Sequence, residues 1–108
     1  LDNQFYVEII PPDVETSWYT LPENSEVIFG RSKRSSEVIL KDPRVSRVHL
    51  RVTTTGDRGV LVTDLFSANG TRLEGRRLKP GTPITWLTDR RVALGHTRLI
   101  LHYGMPPA

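Results

Sequence analysis

Cysteine is absent from this chain, which removes disulfides, thiolate nucleophiles and zinc-cysteine sites together and fits a reducing, cytoplasmic setting. Long apolar runs are missing as well: nothing approaches the roughly 20 residues that a membrane-spanning helix needs, and neither a signal peptide nor a membrane partner is expected. No window carries a convincing helical period. There is no Gly-rich phosphate loop opening a helix, and the three histidines show no metal-ligand spacing such as His-Glu-x-x-His. His96 falls in an expected turn and His102 in an expected strand. Aromatic residues, which single-stranded nucleic acid needs for stacking beside its cations, are scarce where the chain is most basic. Phe66 is the only aromatic between Ile39 and Leu78, and it would serve a core as well as a base. No nucleic-acid partner, metal or other cofactor is expected.

What is present is a series of short β-strands. Phe5 to Ile10 is rich in aromatic and β-branched residues and stops at Pro11-Pro12, which cannot continue a sheet ladder. Trp18 to Leu21 ends at Pro22 and Glu26 to Phe29 ends at Gly30, with a turn at Pro22-Glu23-Asn24-Ser25 between them. Val38 to Leu40 is closed by Asp42-Pro43. Val48 to Thr53 alternates apolar and polar residues as a half-buried strand should, and a turn at Gly56-Asp57-Arg58-Gly59 leads into Val60 to Leu65 as a hairpin. Thr71 to Leu73, Arg76 to Leu78, Pro83 to Trp86, Arg91 to Leu94 and Arg98 to Tyr103 follow, separated by turns at Glu74-Gly75, Pro80-Gly81 and Gly95-His96. About eleven short strands punctuated by Gly, Pro and Asn predict an all-β sandwich or barrel. At 108 residues the chain fits one such domain, with residues 1–103 as the domain and 104–108 as the start of a linker. The absence of an initiator methionine at Leu1 reads as a module taken from a longer protein.

Charge is distributed unevenly. Lysine and arginine together number 15 against 12 acids, a net charge of +3. Arginine dominates the cations, a bias toward planar, bidentate recognition of carboxylate or phosphate that genome composition could also produce. Between Arg31 and Arg51 lie Arg31, Lys33, Arg34, Lys41, Arg44, Arg47 and Arg51 against only Glu37 and Asp42. A smaller basic group, Arg72, Arg76, Arg77 and Lys79 against Glu74, lies just past Asn69-Gly70. If the loops around residues 31, 46 and 69 meet at one end of the fold, that end is positive and an anionic partner is expected. Strand-edge arginines that keep the protein soluble and block edge pairing would give the same composition.

Three short pieces stand at these loops: Gly30-Arg31-Ser32, then Ser46-Arg47-Val48-His49, then Ser67-Ala68-Asn69-Gly70-Thr71 followed by Arg72-Leu73-Glu74-Gly75. Each is weak alone. In this order and spacing they resemble the signature of the forkhead-associated (FHA) domain, a two-sheet β-sandwich that reads phosphothreonine in partner proteins. The resemblance extends over roughly residues 5–103, with its diagnostic part at 30–75. It implies that Arg31 and Ser46 bind phosphate oxygens, that Arg47 is a further contact to phosphate or peptide, and that Asn69 holds the peptide main chain. In some FHA relatives an arginine placed like Arg44 reads an acidic residue about three positions after the phosphothreonine. Gly30, His49 and Gly70 are expected to be architectural. The chemistry suits the ligand, because a phosphothreonine carries about −1.5 to −2 charges and three strong acceptor oxygens, which a guanidinium fork and a hydroxyl meet with charge-assisted bonds. The implied protein is a phosphothreonine-dependent binding module of a signalling or regulatory protein, its partner phosphorylated by a Ser/Thr kinase.

Alternatives remain for each residue. Ser46 could cap a local turn, Asn69-Gly70 could be a type I′ hairpin turn, Arg31 could pair with Asp64 or Glu37, and Arg44 with Asp42. An FHA-fold scaffold that joins partners without phosphate is the alternative function. Catalysis by Ser46, His49 and Asp64 is disfavoured, because residues three apart in an extended strand point to opposite faces. Two departures from the family pattern stand out. Glu74-Gly75 replaces the usual Asn-Gly, and Ala68 lacks the hydroxyl often found before Asn69, which leaves more of the phosphate to Arg31, Ser46 and Arg47.

Overall fold

The computed structural model describes residues 3–56 and 59–107. Eleven strands and no helix occur among them: β1 (Gln4–Ile10), β2 (Ser17–Thr20), β3 (Glu26–Gly30), β4 (Val38–Ile39), β5 (Leu50–Thr55), β6 (Gly59–Asp64), β7 (Thr71–Leu73), β8 (Arg76–Arg77), β9 (Ile84–Trp86), β10 (Arg91–Leu94) and β11 (Thr97–Gly104). They form two sheets, β2-β1-β11-β10-β7-β8 and β4-β3-β5-β6-β9. Every pairing is antiparallel except the short β3–β4 ladder. The strand count left sandwich or barrel open, and the two-sheet sandwich that the resemblance implies is the architecture observed. Asp57 and Arg58 of the expected β5–β6 turn, and Ala108 of the expected linker, lie outside the described residues.

Alternation along each strand builds the core. Val7 and Ile9 of β1, Val92 and Leu94 of β10, and Leu99 and Leu101 of β11 form one cluster with Val27 and Phe29 of β3, Leu50 and Val52 of β5, Val60 and Val62 of β6, and Trp86 of β9. Burying an aliphatic or phenyl side chain of this kind contributes about 1.5–3 kcal/mol. Trp86 places its indole within the core and still satisfies it, Nε1 donating to Arg90 O at 3.0 Å.

The loops that follow β3, β4, β6 and β10 meet at one end of the sandwich. Val48 was expected to open a strand, but β5 starts at Leu50. Ser46 N donates to His49 Nδ1 at 2.9 Å, and this local side-chain bond holds residues 46–49 in a loop against the pull of the alternating pattern. Val45 and Leu40 plug that loop into the core, both almost fully buried. Phe66 settles outside: it is 77% exposed and sits at φ +54°, with its ring laid against Gly81.

Gly30 is where the strand meets this loop most closely. Arg31 N donates to Ser46 O at 3.0 Å and Ser32 N to Arg47 O at 3.1 Å, so the two segments run side by side. A Cβ on Gly30 would lie 2.1 Å from Arg47 O, a clash with backbone that only separation of the segments relieves. Gly30→Ala should therefore cost about 1–3 kcal/mol. Urea titration of the variant checks this, and an unchanged midpoint would show that the close approach is dispensable.

Candidate functional site

The loop from Leu40 to His49 is anchored by a buried carboxylate. Asp42 is 1% exposed and accepts three bonds, from Arg44 N at 2.9 Å, His96 N at 2.8 Å and Thr97 Oγ1 at 2.8 Å. Burial alone would raise its pKa, but the Arg44 N–H, the Thr97 hydroxyl, the His96 N–H and the nearby His96 charge together hold it below the ordinary value of 3.8. Gly95 leaves room for this arrangement, since its Cβ would lie 2.8 Å from Asp42 Oδ2. The Arg44–Asp42 ion pair that the sequence left open is not what forms. Asp42 binds the Arg44 backbone, and among the described residues no ion pair involves an arginine.

Two buried residues lock the second and third loops. The Ser46 N–H points at His49 Nδ1, so that nitrogen is an acceptor and the proton of the neutral ring is on Nε2, which donates to Gly70 O at 3.1 Å. Asp64, also buried, accepts from Ser67 Oγ and Thr71 Oγ1 at 2.6 Å each and from Ser67 N at 3.2 Å. Burial opposes its charge, yet the Ser67 and Thr71 hydroxyls, the Ser67 N–H and His49 hold it below 3.8. The same Ser67 hydroxyl oxygen accepts from Gly70 N at 2.9 Å. The sequence offered Asp64 as an Arg31 partner or as one of a disfavoured catalytic set, and Ser67 and Thr71 were not singled out as its partners. A buried acid followed within seven residues by two hydroxyls was the available signal.

On this frame stand the side chains picked out from sequence. Arg31 is held in place by Nε donating to Val45 O at 3.0 Å, which leaves its terminal amino groups uncommitted among the described residues. Ser46 Oγ accepts from Ala68 N at 2.9 Å, so its own proton remains to be donated. The replaced hydroxyl at Ala68 thus leaves a residue whose backbone orients Ser46. Asn69 Nδ2 donates to Arg44 O at 2.9 Å, tying the third loop to the second and leaving its carbonyl oxygen as an acceptor. Arg44 and Arg47 are exposed, and Arg47 O accepts from Ser36 Oγ at 3.0 Å. Arg31, Ser46 and Asn69 are brought together through these loop contacts. Asn69-Gly70 is not a type I′ hairpin turn: Gly70 has φ +82° but Asn69 does not have a positive φ, and the segment passes from β6 in one sheet to β7 in the other. The type I′ geometry occurs instead at Glu74-Gly75, φ +49° and +83°.

Ser46, His49 and Asp64 do lie close, though not as a catalytic relay. His49 meets the Ser46 backbone rather than its hydroxyl, and its other nitrogen bonds a carbonyl with Asp64 Oδ1 3.9 Å away. The expectation that residues 46 and 49 point apart fails because they sit in a loop, yet a nucleophile–base bond is still not made.

His49 generates a pH prediction. Burial pushes its pKa below 6.5, against the raising effects of Gly70 O, Asp64 and Asp42. A depressed folded-state value means that the unfolded chain takes up protons first as pH falls below 6.5, so this contribution to stability is complete above that pH and is lost below it. In a His96→Gln, His102→Gln background, the urea midpoint should fall between about pH 7.5 and pH 5.5. Adding His49→Gln should lower the midpoint overall and flatten its slope in that window; an equally steep slope would assign the titration to another group.

Residues 27–95 match the FHA domain family. The E3 ubiquitin-protein ligase rnf8 of Danio rerio is 33% identical over 84 residues, 75% of this chain and 17% of that protein. An FHA domain-containing protein of Arabidopsis thaliana is 34% identical over 77 residues, 71% of this chain and 20% of that protein. The chain thus spans a fifth or less of these relatives. The FHA domain of the CT664 protein from Chlamydia trachomatis superposes with a TM-score of 0.83 at 28% identity, covering 91% of this chain and 95% of that one. An FHA domain studied for phosphothreonine-dependent interactions superposes at 0.74 with 27% identity, covering 95% and 99%. The three motif loops, the two-sheet sandwich and these matches agree, and the chain belongs to the FHA domain family.

Proposed function

We propose that this domain binds a phosphothreonine-containing segment of a partner protein, within a larger signalling or regulatory protein. Arg31, Ser46 and Arg47 hold the phosphate, and Asn69 holds the peptide main chain. One observation carries the reading: an oriented Ser46 hydroxyl with a proton to spare stands beside a guanidinium fixed by Val45 O, while Asp42 and Asp64 are turned inward and the exposed Glu37 accepts from Ile28 N. A dianionic phosphate accepts from both, and neither Asp42 nor Asp64 competes for them. The family's phosphothreonine-dependent interactions support the same ligand. The partner is then a substrate of a Ser/Thr kinase, and a cytoplasmic setting suits that chemistry. As an FHA domain the chain acts by binding and performs no reaction.

Arg31→Ala or Ser46→Ala should weaken phosphopeptide binding about tenfold or more while leaving the fold intact, since each removes charge-assisted bonds of roughly 1.5–3 kcal/mol. Asn69→Ala should weaken it through the backbone, across different peptide sequences. Isothermal titration with ligands from an oriented phosphothreonine library tests both. Wild-type affinity in Arg31→Ala would remove the phosphate site, and equal binding of threonine and phosphothreonine forms of a partner would favour the phosphate-independent scaffold.

Arg44, exposed and with no ion pair to Asp42 from its guanidinium, is assigned to an acidic residue about three positions after the phosphothreonine. An exposed pair contributes about 0.2–1 kcal/mol, at most about fivefold in affinity, and shrinks with salt. A double-mutant cycle of peptide Asp→Ala against Arg44→Ala should show that coupling at low salt; zero coupling would move selectivity to another loop.

A further inference from the structure

Beside Asn69 lies a recess of about 190 Å³ lined by Arg44, Asn69, Gly70, Arg72, Arg77 and His96 among others, with no acidic residue in its wall. Its floor is set by the register of three strands. Ala93 of β10 pairs with Arg72 of β7, and Arg72 pairs with Arg77 of β8, so a small side chain leaves space in front of two cations set directly opposite each other. Like charges in that relation destabilise a ladder. Among the described residues neither arginine has an ion-pair partner; Glu74 and Asp89 border the adjoining recess that Arg72 also lines, and Asp42, beside Gly95, is spent on Arg44 N, His96 N and Thr97.

Edge protection is the ordinary use of arginines on an outer strand such as β8, but Arg77 is placed otherwise. Its guanidinium lies over Gly70, where a Cβ would come within 2.9 Å of Cζ and 3.0 Å of Nε and Nη2. The side chain is thus turned across the sheet end toward Asn69, and the absence of a side chain at position 70 is what admits it. An unfavourable cation pair held in a defined place, next to the residue assigned to the peptide main chain, is a preorganised anion site.

We propose that Arg72 and Arg77, with Arg44 at the shared wall, form a second anion subsite that takes a second phosphoryl group on the same ligand segment. This rests on the phosphothreonine reading above. A phosphoryl group fits better than a carboxylate because its charge of about −1.5 to −2 and three acceptor oxygens can engage both guanidinium forks at once.

The test begins with the best singly phosphorylated peptide from the library and a fluorescein-labelled series in which a second phosphothreonine, or an aspartate, is placed one to four residues to either side. Anisotropy titrations should find at least one doubly phosphorylated peptide bound about tenfold more tightly than its parent, with aspartate at that position giving a clearly smaller gain. In Arg72→Ala/Arg77→Ala the gain should vanish while the singly phosphorylated parent binds as to wild type. Removing the opposed cations should leave thermal stability equal or raised, and Arg77→Gln alone should retain the fold and lose part of the gain. No gain at any position, an undiminished gain in the double variant, or an equal gain from aspartate would each overturn the subsite while leaving the parent reading in place. Failure of the library to enrich phosphothreonine over threonine peptides would overturn the parent reading and the subsite with it.

Discussion

The arrangement of the binding end depends on one imidazole used from both sides. His49 takes a proton donor from Ser46 N on Nδ1 and gives one to Gly70 O from Nε2. These bonds connect the loop before β5 to the loop before β7, and so connect the two sheets across the open end of the sandwich. Such a connector works only while neutral, because a second ring proton would face the Ser46 N–H. Burial secures that state. Asp64 beside it organises Ser67 and Thr71, and Ser67 in turn receives Gly70 N, so the third loop is tied down at both of its ends.

Much of the fold was legible because its rules are local. Pro11 follows the end of β1 as expected, although β3 runs on through Gly30 and β11 through Gly104, and period-two alternation identified the buried face of β5. Local rules misled where a side chain bonds the backbone in place of a neighbouring strand. Val48 alternates correctly and still belongs to a loop, because Ser46 N has found His49. Phe66 could not be assigned to core or surface from pattern, since its left-handed backbone and exposure follow from the passage of the chain between sheets.

The site was legible in its residue types and less so in its support. Arg31, Ser46 and Asn69 were nameable from the resemblance of the three loops to the FHA signature, but their tethers at Val45 O, Ala68 N and Arg44 O are backbone groups that any sequence would supply. Arg77 was visible only as one member of a basic group, and its place over Gly70 depends on strand register. Glu74 shows compensation at work. It adopts the left-handed turn conformation that asparagine tolerates better, and its carboxylate accepts from Arg91 N at 2.6 Å.

The neutrality of His49 also reaches into proton linkage. The cationic groups assigned to phosphate are guanidinium groups, which stay charged throughout the working pH range, and the one imidazole built into the loop frame is held uncharged near neutrality. On the proposed reading, the second ionisation of the ligand's own phosphate, near pH 6, then contributes directly to the pH dependence of affinity. Binding would draw a proton off a monoanionic phosphate as it seats, so the domain would act as a reader of the ligand's charge state as well as of its covalent modification.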